Sequence, residues 1–236
     1  RIEAIEAFAA DVAHEIRNPL TSIRSAIELL AHGGEVKRQE KLAVIIKEDV
    51  LRLDRLIGDI AEASRIDAEL ARAETLPVNI GELIQTLVNV EFVSDDVSQL
   101  RVDVFIEEEF IMMVEGVEGR LGQVIRNLLS NATSFSPIGG AVLITICRDN
   151  AKVKVKIEDD GPGIPEGMHQ AIFERFYTER PKLEAFGIHS GLGLSISRQI
   201  IEAHGGELYA ENRRNQLGER MGARFVIELP LIEASI

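Results

Sequence analysis

The first seventy residues carry two amphipathic stripes that are separated by a single break. Apolar residues recur at three- and four-residue steps up to Leu30, and the same spacing resumes from Leu42. His32-Gly33-Gly34 lies between the stripes, and glycine is typical of a helix C-terminus. The pattern predicts two long helices joined by a short turn over residues 1–70. Two helices alone bury little apolar surface, so we expect a second copy of the chain to complete a four-helix bundle.

Composition excludes several classes of protein. The chain has 236 residues, of which 45% are hydrophobic, so it has room for about two ordinary domains with sizeable cores. Its formal net charge of −13 argues against a nucleic-acid partner, because phosphates require a basic surface. The single cysteine, Cys147, excludes an internal disulfide and a cysteine-cluster zinc site.

From the start of the sequence we expect the chain to be a fragment of a longer protein. The first residue is Arg1 rather than methionine, and no signal peptide is visible. No apolar run approaches the roughly 18 residues that span a bilayer. We therefore expect any targeting or membrane segment to lie outside this sequence.

Beyond residue 70 the pattern changes to mixed helices and strands. Residues 71–78, with Pro77, predict a linker, and 79–236 predict a second domain. Asp149-Asn150 predicts the turn of a hairpin with one wet face. Residues 161–190 lack periodicity and are rich in glycine and proline, which predicts a functional lid. Helices are predicted over 80–90, 120–134 and 191–204, and strands over 102–106, 111–114, 142–146, 153–157, 207–211 and 223–229.

The first predicted helix contains a histidine followed at once by a glutamate, His14-Glu15. Neutral imidazole is a good nucleophile, and an adjacent carboxylate can take its proton or hold its tautomer. Pro19 lies in the same helix, where it costs about 3 kcal/mol or more, and a kink beside a reactive histidine would explain that cost. On its own, this pair is better explained as a histidine and a glutamate on a solvated helix face, because short motifs often match by chance.

An acidic, glycine-containing segment directly follows a predicted strand at Asp159-Asp160-Gly161. An acidic side chain at a strand end can accept a hydrogen bond from an exocyclic amine. Gly161 and Gly163 would let the backbone approach a planar base closely. The alternative is an ordinary glycine-proline turn.

Two further segments have side chains or backbone groups suited to nucleotide phosphates. The glycines of Gly191-Leu192-Gly193-Leu194 open a helix, and free N–H groups at a helix N-terminus suit phosphate oxygens, although glycine-capped helix starts are common. Asn127 and Asn131 are four residues apart and therefore share one helix face. Carboxamide oxygens can bind Mg²⁺. The alternative is a pair of surface asparagines, but both lie in an otherwise apolar run.

Taken together and in this order, these segments resemble the sensor histidine kinases of two-component systems over nearly the whole chain. The stretch from Phe173 to Gln199 is similar to the ChvG/ExoS-type envelope sensors of alphaproteobacteria. The segment Gly222 to Phe225 resembles the last glycine box. The other matching motifs are the H box (His14), the N box (Asn127, Asn131), the G1 box (Asp159, Gly161, Gly163), the F box (Phe173, Phe176) and the G2 box (Gly191, Gly193).

The resemblance implies an α+β architecture: a helical hairpin that forms a dimeric four-helix bundle, followed by an α/β sandwich of the GHKL (Bergerat) ATP-binding type. It implies ATP and Mg²⁺ as nucleotide and cofactor. The implied partners are a second copy of the chain and the receiver domain of a response regulator, with no nucleic acid. It places the chain on the cytoplasmic side of a bacterial inner-membrane sensor, whose membrane contact lies in missing N-terminal segments.

The resemblance also implies a role for each motif residue. His14 is the phospho-acceptor, Glu15 is the expected base, and Asn18 matches the position used in dephosphorylating the response regulator. Asn127 and Asn131 match the residues that hold Mg²⁺. The implied ATP-binding residues are Asn127, Asn131, Asp159, Gly161, Gly163, Gly191, Leu192, Gly193 and Leu194.

Two departures from the family pattern put nucleotide affinity in doubt. His189 stands where the second glycine box often has glycine, and Ser134 stands where the N box often has a basic residue. Two rival functions are simple ATP hydrolysis, as in gyrase- and Hsp90-like ATPases, and a scaffold with a dead nucleotide site. Those ATPases carry a glutamate where Asn127 stands, and a carboxamide cannot act as a base. Intact His14, Asn131 and Asp159 argue against the scaffold.

Overall fold

The computed structural model describes residues 2–33, 35–70, 72–91, 100–107, 112–177 and 191–232. The chain divides into two compact units. The helical unit comprises Arg1–Arg65 with Arg175–Gly193, and the catalytic unit comprises Ile66–Glu174 with Leu194–Ile236.

Two long helices form the helical unit. Helix α1 spans Ile2–Ala31 and helix α2 spans Val36–Ala63, so the predicted hairpin is confirmed. Between them, Gly33 has φ +73°, as expected of a helix-terminating glycine. The side chains that the hairpin buries include Pro19, Ala26, Leu42 and Leu56.

Several large apolar side chains of the hairpin are exposed. They keep 40% or more of their surface accessible, although solvated helix positions are normally polar. They include Leu20, Ile27 and Leu29 on α1 and Val44, Ile45, Val50, Leu51 and Ile57 on α2. Leu20 and Ile27 are seven residues apart, as are Val50 and Ile57, so each pair lies on one face of its helix.

The catalytic unit is built on a mixed sheet. In chain order its elements are α3 (Ile66–Leu70), β1 (Leu76–Asn79), α4 (Ile80–Glu91), β2 (Arg101–Ile106), β3 (Met113–Gly116), α5 (Glu118–Phe135), β4 (Ala141–Asp149), β5 (Lys152–Asp159), a 3-10 turn (Ala171–Phe173), α6 (Gly193–Ala203), β6 (Glu207–Arg214) and β7 (Arg220–Pro230). The five-stranded sheet has the order β2-β4-β5-β7-β6, with β2 parallel to β4 and the other pairs antiparallel.

One face of the sheet carries the core and the other is wet. Strands β4 and β5 alternate, with Val142, Ile144 and Ile157 fully buried and with α4 and α5 packed on the sheet. Lys154 on the opposite face keeps partial exposure, which confirms the predicted one-sided hairpin. Helices on one side of a mostly antiparallel sheet are the α+β arrangement that was predicted.

Strand β1 forms within the stretch that composition marks as a linker. Leu76–Asn79 pairs with β3, and the buried Val78 lies opposite Val114. A strand of four residues with a proline has no readable alternation, which is why the sequence pattern missed it. The domain limits 1–70, 71–78 and 79–236 stay a prediction.

The predicted lid is only partly described. From Gly161 to Tyr177 the one regular element is the 3-10 turn. His189 and the remainder of the lid up to Ser190 lie outside the described residues. Among the helices that the structure describes, none has both the length and the apolar character needed to cross a membrane.

Candidate functional site

His14 is exposed on α1, where its imidazole is open to solvent. Asn18 is exposed one helical turn later, so both side chains share a face. Glu15 is half-buried between the helices, and Arg52 of α2 approaches its carboxylate at 3.4 Å. This ion pair directs the Glu15 carboxylate toward α2. Pro19 is buried, so the predicted kink residue faces the hairpin interior.

Asp159 ends β5 as a buried carboxylate with 2% of its surface accessible. Its Oδ1 accepts hydrogen bonds from the backbone N–H of Gly161 at 2.9 Å and of Ala223 at 3.1 Å. Burial raises the pKa of Asp159 above its usual range, while these two donors and the Arg213 guanidinium act in the opposite direction. The result is an oriented acceptor in a largely desolvated place, as recognition of an amine requires.

Close packing surrounds the glycines that follow Asp159. A Cβ on Gly161 would meet the carbonyl oxygen of Phe135, at the end of α5, at 2.8 Å. Gly163 has φ +72°, and a Cβ there would lie 2.6 Å from Asn212 Oδ1. Side chains are therefore excluded at both positions, and the backbone of this loop forms the surface.

Asn212 of β6 holds the same loop and was missed by sequence reasoning. Its Oδ1 accepts the backbone N–H of Ile164 at 2.7 Å, and its Nδ2 donates to the carbonyl oxygen of Ile164 at 2.7 Å. The carboxamide thus acts like a strand neighbour for one residue. The available signal is an asparagine inside a strand, where that residue type is depleted.

The two N-box asparagines lie in the middle of α5. Asn127 and Asn131 are half-buried, while Leu128 and Leu129 between them are fully buried. The Nδ2 of Asn127 donates to the hydroxyl oxygen of Ser197 on α6 at 3.4 Å. The two positions therefore lie at the edge of the core rather than on a fully solvated face.

The donor set fits a magnesium ion carried by a nucleotide. In the described part of the chain no group of three or more histidine, cysteine, aspartate or glutamate side chains could hold a metal ion. Carboxamide oxygens from Asn127 and Asn131 are hard but uncharged donors. Mg²⁺ usually takes one or two protein ligands and completes its shell with phosphates and water, which matches such a site.

The second glycine box precedes α6, which begins at Gly193 rather than at the predicted residue 191. Gly191 has φ +74°, and its carbonyl oxygen accepts the backbone N–H of Phe176 at 2.9 Å. Leu192 is fully buried and Leu194 is half-buried. The hydrogen bond ties the F box to the second glycine box.

The other F-box residue, Phe173, packs within the catalytic unit. Its ring meets the ring of Phe225 edge-on at 6.4 Å, and the guanidinium of Arg198 lies 3.8 Å from its centroid.

Ser134, the departure in the N box, donates its hydroxyl to the carbonyl oxygen of Asn131 at 3.0 Å.

The catalytic unit therefore brings Asp159, Gly161 and Gly163 together at one end of the sheet, beside the end of α5. His14, Glu15 and Asn18 lie in the helical unit. The first set can recognise a base, and the second presents a nucleophile.

Comparisons with known proteins match both units. Residues 4–69 match the family described as His Kinase A (phospho-acceptor) domain. Residues 116–233 match the family described as histidine kinase-, DNA gyrase B- and HSP90-like ATPase.

Among curated proteins, the chain is 47% identical to the sensor protein ChvG of Agrobacterium fabrum over 99% of this chain and 40% of that protein. It is 48% identical to ChvG of Rhizobium meliloti over 98% of this chain and 41% of that protein. The predicted similarity to ChvG-type sensors is confirmed. The chain spans about two fifths of the length of these relatives.

Solved structures of histidine kinases share the fold. Histidine kinase ThkA, crystallised in complex with the response regulator protein TrrA, is 30% identical with a TM-score of 0.76, covering 98% of this chain and 63% of that one. The mycobacterial sensor histidine kinase MprB is 30% identical with a TM-score of 0.56, covering 66% of this chain and 97% of that one. The chain therefore belongs to the histidine kinase family, with a phospho-acceptor domain followed by an ATPase-type domain.

Proposed function

We propose that this chain is the catalytic core of a sensor histidine kinase that transfers the γ-phosphoryl group of ATP to His14. The observation that carries the proposal is the exposed imidazole of His14, because a nucleophile must be reachable. Glu15, the next residue in the chain, is the proposed base for its proton.

The reaction is an in-line displacement. The lone pair of one His14 ring nitrogen attacks the γ-phosphorus, and an N–P bond forms. The bond from that phosphorus to its bridging oxygen breaks, and ADP leaves with the electron pair. The proton on the other ring nitrogen passes to the Glu15 carboxylate. The protein contributes positioning and electrostatics more than covalent chemistry.

The catalytic unit would hold the nucleotide. Asp159 accepts the exocyclic amine of adenine, and the backbone at Gly161 and Gly163 lies along the edge of the base. Asn127 and Asn131 would face the phosphates, and the family resemblance also assigns a phosphate-binding role to Gly191, Leu192, Gly193 and Leu194. Their carboxamide oxygens would hold Mg²⁺, which supplies neutralisation of phosphate charge when it is bound.

Simple ATP hydrolysis is the rival function. It requires a base that activates water, and a carboxamide at Asn127 cannot accept a proton. Asn127 instead donates to Ser197 on α6, an arrangement suited to holding a ligand. Transfer to His14 is therefore favoured over transfer to water.

Exposed apolar residues of the hairpin support a homodimer. Leu20 and Ile27 share one face of α1, and Val50 and Ile57 share one face of α2, because each pair is seven residues apart. A second hairpin would cover these residues in a four-helix bundle. The dimer then presents His14 of each copy on its surface.

A response regulator is the proposed acceptor of the phosphoryl group. His14 and Asn18 share an exposed face, on which a receiver domain would dock. An aspartate of that domain would take the phosphoryl group, and Asn18 would assist its later hydrolysis. ThkA has been crystallised with the response regulator TrrA. A relative named histidine-protein kinase/phosphatase MprB, from Mycolicibacterium paratuberculosis, is 33% identical over 94% of this chain.

The chain is proposed to be the cytoplasmic kinase portion of a longer inner-membrane sensor. ATP and response regulators are found in the cytoplasm, and the matched ChvG relatives are more than twice as long. The sensing segment would then act on His14 by moving α1 and α2.

Labelling with γ-³²P-ATP tests the proposal. We expect an acid-labile, base-stable label on the wild-type chain and none on His14→Ala. His32→Ala is a matched control, because His32 is also an exposed histidine at the end of α1, and it should label normally. A label that persists in His14→Ala would overturn the assignment, as would a rate of ATP turnover that is unchanged in this variant.

A further inference from the structure

Three consecutive acidic residues, two at the end of β5 and one just beyond it, repel one another. Glu158, Asp159 and Asp160 follow one another, and Asp159 is almost fully buried. Like charges at this distance favour protonation of the most buried member. The Asp160 charge indeed raises the pKa of Asp159, in addition to the larger effect of burial.

Arg213 of β6 contacts all three of these residues. Its Nε lies 3.3 Å from the carboxylate of Glu158, and its Nη1 donates to Asp160 Oδ1 at 2.9 Å. The same Nη1 donates to the backbone carbonyl oxygen of Asp159 at 2.6 Å. One guanidinium therefore holds two carboxylates and the peptide group between them.

The local backbone directs Arg213 to this place. Arg213 pairs with Gly222 across β6 and β7, and the register shifts immediately after it, between Arg213 and Arg214. A β-bulge of this kind re-aims a side chain and is frequent beside functional sites. Gly222 has no side chain, so the carbonyl oxygen of Asp159 can occupy the place that a Cβ would take there.

We propose that Arg213 is a positioning residue for nucleotide recognition: its guanidinium fixes the end of β5 and thereby the place of the Asp159 side chain. The inference rests on the proposed function, in which Asp159 receives the amine of the base. Arg213 does not touch the nucleotide in this scheme and acts only through Asp159.

The charges around Asp159 define what the substitution changes. Asp160 and Glu158 flank it on its own strand, Ala223 of β7 and Gly161 donate N–H groups, and Arg213 is the cation that lowers its pKa. Arg224 of β7 also pairs with Glu158, at 2.7 Å. Removing the Arg213 guanidinium would take away the charge that counteracts the effects of burial and of Asp160 on the pKa of Asp159. The pKa of Asp159 would rise further, and nucleotide binding would weaken at a higher pH than in the wild type.

Binding of Mg-ATP to the whole chain, measured by calorimetry between pH 5 and pH 8, tests the inference. We expect Arg213→Gln to bind about tenfold more weakly at pH 7 and to move the acid midpoint of binding to higher pH, a loss equal to about 1.4 kcal/mol. Arg213→Lys keeps the charge but loses the fork of donors, so the midpoint should stay while the affinity falls by a smaller factor. Arg214→Gln is the matched control, because Arg214 is the next residue and pairs with the exposed Glu166.

A second variant keeps the test decisive if Arg213→Gln fails to fold. Asp160→Asn removes the like charge while its amide oxygen can still accept the N–H of Ala141, so its acid midpoint should move to lower pH. Binding of Arg213→Gln within twofold of the wild type, or an unmoved midpoint in either variant, overturns the inference. Asp159→Asn separates the two proposals: if it binds Mg-ATP normally, the proposed base contact itself is wrong.

Discussion

Gly222 packs directly against the backbone of Asp159, so closely that a Cβ on Gly222 would overlap the Asp159 carbonyl oxygen. The residue also has φ +146°, which side chains rarely adopt. Its role is therefore to leave room for the end of β5, and it explains on physical grounds why a glycine stands at the start of the last glycine box.

Gly222→Ala is expected to displace Asp159 and to abolish detectable Mg-ATP binding while lowering the melting temperature of the catalytic unit. There is no space for the added methyl group, and an alanine at this backbone conformation is strained. Calorimetric titration and thermal unfolding measure both effects. Gly119→Ala is the control, because nothing lies within 4 Å of a Cβ there and the residue is in α5. That change should leave binding intact and stabilise the unit by about 0.4–1 kcal/mol. Normal nucleotide affinity in Gly222→Ala would contradict the packing argument.

Asp159 should also impose a stability cost that its function requires. Its pKa in the folded chain is raised, mainly by burial, so its favourable contribution is present below the unfolded value of 3.8 and is lost as pH rises through the folded value. At pH 7 the ionised group therefore destabilises the catalytic unit.

We expect Asp159→Asn to melt at a higher temperature than the wild type at pH 7 while binding Mg-ATP at least tenfold more weakly. The gap in melting temperature should shrink as the pH approaches 4. Asp160→Asn should instead melt at a lower temperature than the wild type at pH 7. Burial alone would raise the pKa of Asp160, but the hydrogen bonds from Ala141 and Arg213 lower it overall. Scanning calorimetry across this pH range measures both. A lower melting temperature for Asp159→Asn at pH 7 would refute the argument.

The parts of the fold that the sequence predicted are those with local periodicity. Helices α1, α2 and α5 and the β4–β5 hairpin repeat their apolar residues over many positions, so each pattern is visible without knowledge of the partner. Strand β6 was predicted only to residue 211, yet it continues to Arg214. It is an edge strand, and its last residues are polar, so they lack the apolar alternation that marks a strand in the sequence.

The candidate site was predictable only where residue type itself carries chemistry. Asp159, Gly161, Asn127 and His14 stand out because an acid, a glycine, a carboxamide or a histidine is unusual in its pattern. Arg213 does not, because a lone arginine near a strand end looks like a solvated charge. Its role, like that of Asn212, depends on contacts with residues distant in sequence, which only the folded chain defines.

The wet face of the sheet should make stability depend on pH through Glu228. Its carboxylate lies 2.7 Å from Lys152 Nζ and 3.1 Å from Lys154 Nζ, and it accepts the hydroxyl of Tyr209 at 3.2 Å. The hydrogen bond from Lys152 is the main cause that lowers the pKa of Glu228 from 4.5 to about 2. A lowered pKa gives stability that is present above pH 4.5 and is lost as pH falls towards 2.

Glu228→Gln should therefore lower the melting temperature above pH 4.5. The free energy of unfolding should fall by only about 1 kcal/mol, because water partly screens these charges. The difference from the wild type should disappear near pH 2. Glu174→Gln serves as the control, since Glu174 is an exposed glutamate outside this cluster, and it should change the melting temperature little at any pH. A pH-independent gap for Glu228→Gln would exclude the electrostatic explanation.

Asp49 interrupts the buried stripe of α2. It stands seven residues from both Leu42 and Leu56, the buried residues of that helix, and so occupies the same heptad position. Its Oδ2 is buried and has no hydrogen-bond partner among the described residues. The pairing of Glu15 with Arg52 puts Asp49 at the level of Asn18 in the antiparallel hairpin, close along the axis to the phospho-acceptor.

Asp49→Leu should complete the stripe and stabilise the helical unit by about 1–3 kcal/mol, because a buried oxygen without a partner loses its hydration and gains nothing in return. Thermal unfolding at a fixed protein concentration measures the gain, since the stability of a dimer depends on concentration. Asp54→Leu is the control, because Asp54 is exposed on the same helix and should give no gain. A single polar core position can fix register and oligomeric state at the expense of stability. We therefore also expect Asp49→Leu to reduce labelling of His14 as it raises the melting temperature. A lower melting temperature in Asp49→Leu would mean that the carboxylate is satisfied in the assembled bundle, against this interpretation.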